Sequence, residues 1–186
     1  MSSISLNEVW GRKVLIMGDV GTGKTALTRR ILEEVVEKGY DYNVTVLDMA
    51  PQKTTVNGLP VGGRLTEKNC GKVRMLEAKD VKTPRLSAGN SEELMDLAEY
   101  NRKAIESLID DFSSRPTSIL FVNDVSMYLQ LGDLEHLWRS ISKANTVVAN
   151  GYWGTKLKDD FGTGVSYRER RLMEELAARM DVVVRT

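Results

Sequence analysis

The chain has 186 residues, 26 Lys plus Arg against 26 Asp plus Glu, and 41% hydrophobic content; this suits one compact domain with a real core and excludes a disordered chain. Zero net charge leaves no general electrostatic footprint for nucleic acid or anionic membrane, and one Cys (Cys70) with one His (His136) excludes an internal disulfide framework, a thiolate zinc cluster and a multi-histidine metal site. No apolar run approaches the roughly 20 residues that span a bilayer, and Met1 to Asn7 has no signal-peptide apolar stretch, so a soluble cytoplasmic protein without membrane partners is expected.

Short apolar runs alternate with amphipathic stretches, the pattern of an α/β fold around a mostly parallel sheet. Lys13 to Met17 is a continuous apolar strand, as expected where both faces are covered. A Gly-rich turn leads to a helix from about Lys24 to Lys38, with Leu27, Ile31 and Val35 on one face and Gly39 as its stop. About Asn43 to Asp48 forms the second strand. Met49 to Lys72 is too long for an ordinary connection. Within it Thr54-Thr55-Val56 and Leu59-Pro60-Val61 flank Asn57-Gly58, a hairpin signal that predicts a β-ribbon excursion at 50–72. Val73 to Leu76 reads as another strand.

Asn90 or Ser91 opens a long helix to about Phe112, with Glu93 placed for a capped start. Ser118 to Val122 is a strand ending in Asn123-Asp124. Asp133 to Lys143 is a helix, Thr146 to Ala149 a strand, Ser166 to Glu169 a capping box opening the last helix, and Asp181 to Val184 the closing strand. Met95, Met173 and Met180 read as core filler, and His136 as a half-buried structural residue. No repeat or linker divides the chain, so residues 1–186 are read as one domain, with functional loops at the C-terminal ends of the strands.

Directly after the first strand stands Gly18-Asp19-Val20-Gly21-Thr22-Gly23-Lys24-Thr25, a full G-x-x-x-x-G-K-[ST]. The chemistry explains these residue types. Glycines let the backbone curl so that successive N–H groups face one anion, and the following helix, opening with Ala26 in its first turn, adds the positive end of its dipole. This stretch resembles the phosphate loop of the P-loop NTPase superfamily. The resemblance implies a three-layer P-loop fold, a nucleoside triphosphate as ligand and Mg²⁺ as its companion. Lys24 would bridge the β- and γ-phosphates, and the Thr25 hydroxyl would ligate the metal.

The superfamily's second motif is an apolar strand ending in Asp. Ile119 to Asp124 looks like it, with Asp124 in the metal role and Asn123 interrupting the apolar run. Val125 stands where motor-type ATPases commonly carry the Glu that polarises water, which argues against a fast ATPase of that type. Asp48 ends the second strand, where some P-loop enzymes keep an Asp beside the γ-phosphate. It is a candidate for orienting the nucleophile, against a turn-forming role before Pro51. Asp19 is a further carboxylate in the loop.

Guanine-specific members usually show Asn-Lys-x-Asp after the penultimate strand; here stands Asn150-Gly151-Tyr152-Trp153, which tilts the reading toward ATP over GTP. Tyr152 or Trp153 stacks on a base or packs on a neighbouring loop. Arg168, Arg170 and Arg171 form a phosphoryl-neutralising lid or a solvated helix face, the latter favoured. The reading is a Mg²⁺-dependent nucleoside triphosphatase acting on ATP, completed by a protein partner or a second copy, since no arginine finger is assignable. Its alternatives are a small-molecule kinase, with an acceptor pocket built from the hairpin and Arg85, and a nucleotide-gated binding module.

Overall fold

In the computed structural model, which describes residues 4–56, 58–66, 70–157 and 159–186 and gives only the backbone of Val56 and Leu59, six strands make one sheet in which every pairing is parallel. In chain order these are β1 (Lys13–Gly18), β2 (Val44–Asp48), β5 (Arg74–Glu77), β6 (Ile119–Asn123), β7 (Thr146–Tyr152) and β8 (Val182–Arg185). Their spatial order is β5-β2-β6-β7-β1-β8. Two short strands, β3 (Thr54–Val56) and β4 (Leu59–Val61), form a separate antiparallel ribbon. The expected hairpin is therefore present, although Asn57 at its turn lies outside the described residues.

Helices cover both faces. On one side lie α1 (Leu6–Val9) and α2 (Lys24–Glu37); on the other lie α4 (Ser91–Ser114), α5 (Ser126–Leu129), α6 (Leu134–Ile141) and α7 (Val165–Arg179), with α3 (Pro84–Ser87) packed near α4. The alternation of side chains along each strand assigns the layers. Val14 and Ile16 of β1, with Val46 and Phe121, pack against Leu6, Ile31 and Val35. Leu15 and Met17, with Leu47 and Leu120, pack against Ile105, Ile109, Leu137 and Leu176. Strands β1, β2, β6 and β7 are buried nearly throughout, whereas the edge strands β5 and β8 are not. Each Val, Leu or Ile so buried contributes roughly 1.5–3 kcal/mol, which makes this double-sided core the main stabilising term.

Three details depart from expectation. Strand β7 runs on through Tyr152, so Asn150, Gly151 and Tyr152 belong to the sheet and not to a loop. The last helix does not open on a capping box at Ser166: it starts at Val165 after left-handed Gly164, and the Asp160 carboxylate accepts from the Ser166 amide. Glu169 turns into the core instead of reaching back, because a buried arginine holds it there. Met95 is exposed, not core filler, while Met173 is fully buried. By contrast Asn90 caps α4 as expected, its side chain accepting from the Glu93 amide at 2.9 Å. No helix among the described residues is long and apolar enough to cross a membrane.

Candidate phosphate-binding cleft

The segment from Gly18 to Thr25 joins the buried end of β1 to the first turn of α2. Gly21 and Gly23 hold φ of +78° and +91°, left-handed values that a side chain would strain. Gly18 is demanded by space instead: a Cβ there would lie 2.5 Å from Thr186 Oγ1 and 2.6 Å from its carbonyl oxygen. Lys24 Nζ curls back over the loop and donates to the Asp19 carbonyl at 2.6 Å. Burial lowers the pKa of Lys24, opposed by the charges of Asp124 and Asp19.

Asp19 does not point at the cleft. Its carboxylate accepts from the Val20 amide at 2.7 Å and the Thr155 amide at 3.0 Å, tying the loop to the segment after β7. Burial pushes the Asp19 carboxyl up, but the amides of Thr155, Val20 and Lys156 with the Lys156 charge outweigh it, and the net shift is downward. Val20, Gly21, Lys24 and Thr25 line an open cleft of about 780 Å³. Gly18, Asp19, Thr22, Gly23 and Ala26 shape the loop from behind or beside it.

Asp124 faces Lys24 across this cleft. It follows β6 with φ of +59°, a left-handed conformation that Asp tolerates better than most residues. That turn is held by side chain and backbone of one residue: the Asp124 amide donates to Asn150 Oδ1 and the Val125 amide to the Asn150 carbonyl, each at 2.9 Å. Ser126 donates to Asp124 Oδ1 at 2.6 Å. Burial raises the Asp124 pKa, opposed by the Ser126 bond and by the charges of Lys24 and Arg85.

Asp48 is placed differently. It is 1% exposed, and both its oxygens are engaged: one accepts from the Leu65 amide at 2.7 Å, the other from the Ala50 amide at 3.2 Å and Asn123 Nδ2 at 2.9 Å. Burial raises its pKa against the lowering effect of those bonds. The Asp48 carboxylate thus clamps the base of the 49–66 excursion, and Asn123, which does line the cleft, is its link to the site. Arg29 completes the clamp by donating to the carbonyls of Leu65 and Arg64.

Behind the loop lies a buried polar network with no motif to announce it. Asn150 Nδ2 donates to Thr28 Oγ1 at 2.9 Å and to Asn123 Oδ1 at 3.1 Å, and Thr28 donates to the Lys24 carbonyl at 2.9 Å. The chain Lys24–Thr28–Asn150–Asn123–Asp48 crosses α2, β7, β6 and β2 and ties together their ends at the cleft. The one available signal was polar residues inside otherwise apolar runs: Thr28 on the inward face of α2, Asn123 and Asn150 at strand ends. A buried polar side chain has to find partners, so such interruptions mark a network.

The far wall of the cleft comes from Pro60 to Gly63 of the excursion, from Arg85, and from Gln130. Arg85 and Glu169 are a buried pair, 6% and 2% exposed in their side chains. Arg85 Nη1 lies 2.9 Å from Glu169 Oε1, and Nη2 donates to Oε2 at 3.0 Å. Gln130 Nε2 donates to the same carboxylate at 3.0 Å. Burial pushes Glu169 up to about 7, against Arg85 and Gln130 and with help from the Asp124 charge.

Of the remaining candidates Tyr152 also lines the cleft, and the others are engaged outside it. Trp153 lies between Arg170 and Arg185, 4.2 and 4.5 Å from its ring centre, and donates to Glu174. The Tyr152 hydroxyl accepts from the Leu157 amide at 2.8 Å, and its ring meets Arg85. Arg168 donates to the Gly132 carbonyl, and Arg171 pairs with Glu175 along the helix. His136 sits 3.0 Å from Asp110 and does not line the cleft. Among the described residues no group of three or more His, Cys, Asp or Glu is arranged to hold a metal. No protein-family model matches the chain, and a search of the curated proteins gives no match.

Proposed function

We propose that the protein binds a nucleoside triphosphate with Mg²⁺ at the Gly18–Thr25 loop and cleaves its γ-phosphate, with ATP as the nucleotide and water as the acceptor. The observation that carries this is the cleft itself. A glycine-bent strand-to-helix loop, the half-buried Lys24 and the strand-end carboxylate Asp124 line one cavity. Amide groups at the start of α2 supply an anion site, and Lys24 adds a positive charge by exchanging its bond to the Asp19 carbonyl for one to phosphate.

Thr25 and Asp124 suit Mg²⁺. They offer a hydroxyl and a carboxylate, hard oxygen donors on facing walls, and Mg²⁺ typically takes few protein ligands and completes its shell with phosphate and water. Bound there, the ion would neutralise charge on the β- and γ-phosphates. Asn123 and Asp48 keep the strand ends in place behind it. Missing the Asn-Lys-x-Asp guanine code favours ATP over GTP.

A kinase reading has one observation in its favour: the cleft extends past Asp124 to Pro60–Gly63, room that water does not need. Phosphate release without added acceptor, unaffected by a panel of hydroxylated metabolites, decides for water. The main test is calorimetric titration with ATP and GTP in Mg²⁺. Lys24→Ala is expected to lose at least ~100-fold in affinity, about 2.7 kcal/mol. If Lys24→Ala binds ATP like the parent, the proposal fails.

A further inference from the structure

The phosphate loop accounts for one wall of the cleft. The opposite wall holds a cation whose burial is not explained by the loop. Arg85 sits on the four-residue helix α3, far in sequence from Lys24, yet both line the same cavity and both act electrostatically on Asp124 between them. Its guanidinium is fixed by the two-point pair with Glu169 and by a 3.3 Å contact to Ser166 Oγ. A guanidinium has five N–H donors, and the Glu169 pair with the Ser166 contact leaves donors over. Beside it Gln130, 1% exposed, spends its amide nitrogen on Glu169, which leaves Oε1 buried without a hydrogen-bond partner. An orphaned buried acceptor costs free energy unless a donor arrives to fill it.

We infer that Arg85 is the chain's own transition-state cation and that Gln130 positions the attacking water, so that the hydrolytic site is complete within one chain. This rests on the nucleotide-binding reading above and deepens it. In the step, the water oxygen forms a bond to the γ-phosphorus while the bond from that phosphorus to the β–γ bridging oxygen breaks. The electron pair of the broken bond leaves on ADP. One water proton stays on the released phosphate and the other passes to solvent. Gln130 Oε1 accepts from the water's O–H and sets its approach. The free donors of Arg85 meet the equatorial oxygens, whose charge is spread and growing in the transition state. Glu169 holds the guanidinium in place, so its planar fork needs no ordering when the reaction occurs.

The test separates ground-state from transition-state binding. Parent and variants are titrated with Mg²⁺·ATP and with ADP plus aluminium fluoride and Mg²⁺, and phosphate release is timed. The double substitution Arg85→Met with Glu169→Met removes both charges together and avoids leaving one buried alone. It is expected to bind ATP within about threefold of the parent, to lose at least ~30-fold in affinity for the fluoroaluminate complex, and to release phosphate ~100-fold more slowly, the scale of a lost transition-state donor. Gln130→Met should show the same split, with a ~10-fold slower release. If the double variant does not fold, Arg85→Lys keeps the charge opposite Glu169 without the fork, and kcat should fall at least ~10-fold at unchanged KM. A folded variant with parental turnover, or a parent that binds ATP but not the fluoroaluminate complex, overturns the role of Arg85 and leaves the phosphate loop standing. A parent that binds no nucleotide overturns both.

Discussion

The Gly18–Thr25 loop and the polar network behind it share the same end of the sheet and are built from opposite materials. The loop is exposed around Gly21 to Gly23, and its two left-handed glycines carry no side chain, so what it presents there is largely backbone. The network is buried, and what it offers is side chains, Asp48, Asn123, Asn150 and Thr28, each 2% exposed or less. On the proposed nucleotide reading, Lys24 therefore owes the ligand more than the fold. Network residues owe the fold nearly everything, because an unpaired polar group in a dry site costs more than the bond it made was worth.

That contrast can be broken by substitution. Asp48→Ala strands the amides of Ala50 and Leu65 and leaves Asn123 Nδ2 with the Gly63 carbonyl alone, and should cost about 3–5 kcal/mol in urea unfolding; a loss under about 1 kcal/mol would show that the clamp is not structural. Asn150→Ala, which frees Thr28, Asn123 and the Asp124 amide together, should cost about 2–4 kcal/mol by the same measurement. Gly18→Ala tests the loop's single steric demand. Its Cβ meets Thr186 backbone and side chain, and about 1–3 kcal/mol of overpacking is expected as a lowered melting temperature. Lys24→Ala should change stability by no more than about 1 kcal/mol while nucleotide affinity collapses; equal losses of stability and binding would erase the distinction.

The smallest effect is in pH. Glu169 is raised from its ordinary 4.5 to about 7, so the folded chain holds a proton there that the unfolded chain has released. Its contribution is fully present below pH 4.5 and is lost as pH rises through 7. The melting temperature of the parent relative to Glu169→Gln should therefore be higher at pH 5 than at pH 8, and a parallel pair of curves would remove Glu169 as the cause.

Much of the architecture was legible because local signals agreed with the global fold. The continuous apolar runs at β1, β2 and β6 mark strands covered on both faces, and the stripe on α4 marks a helix with one face inward. Four-residue helices such as α1, α3 and α5 escaped, since a single turn is too short to show a period. The end of β7 escaped because Asn150-Gly151 breaks the apolar run, and only its parallel pairing with β1 as far as Gly18 makes it strand. The Ser166–Glu169 capping signal was overridden by a stronger partner for Glu169, the Arg85 guanidinium.

The site divides in the same way. Gly18 to Thr25 could be read as a phosphate loop because its chemistry is contiguous: consecutive amides, one lysine and one hydroxyl, within a single strand-to-helix turn. Asp48 and Asp124 both stand at the end of an apolar run and both read as site carboxylates, Asp124 for the metal and Asp48 for the nucleophile. Folding made them different. Asp124 lines the cleft with Lys24 and is itself left-handed, while Asp48 is spent on the amides of Ala50 and Leu65. Arg85, Gln130 and Glu169 come from three separate segments, and nothing in their local patterns links them. Their meeting is a product of long-range packing, which places groups by burial and pairing and leaves no trace in sequence spacing.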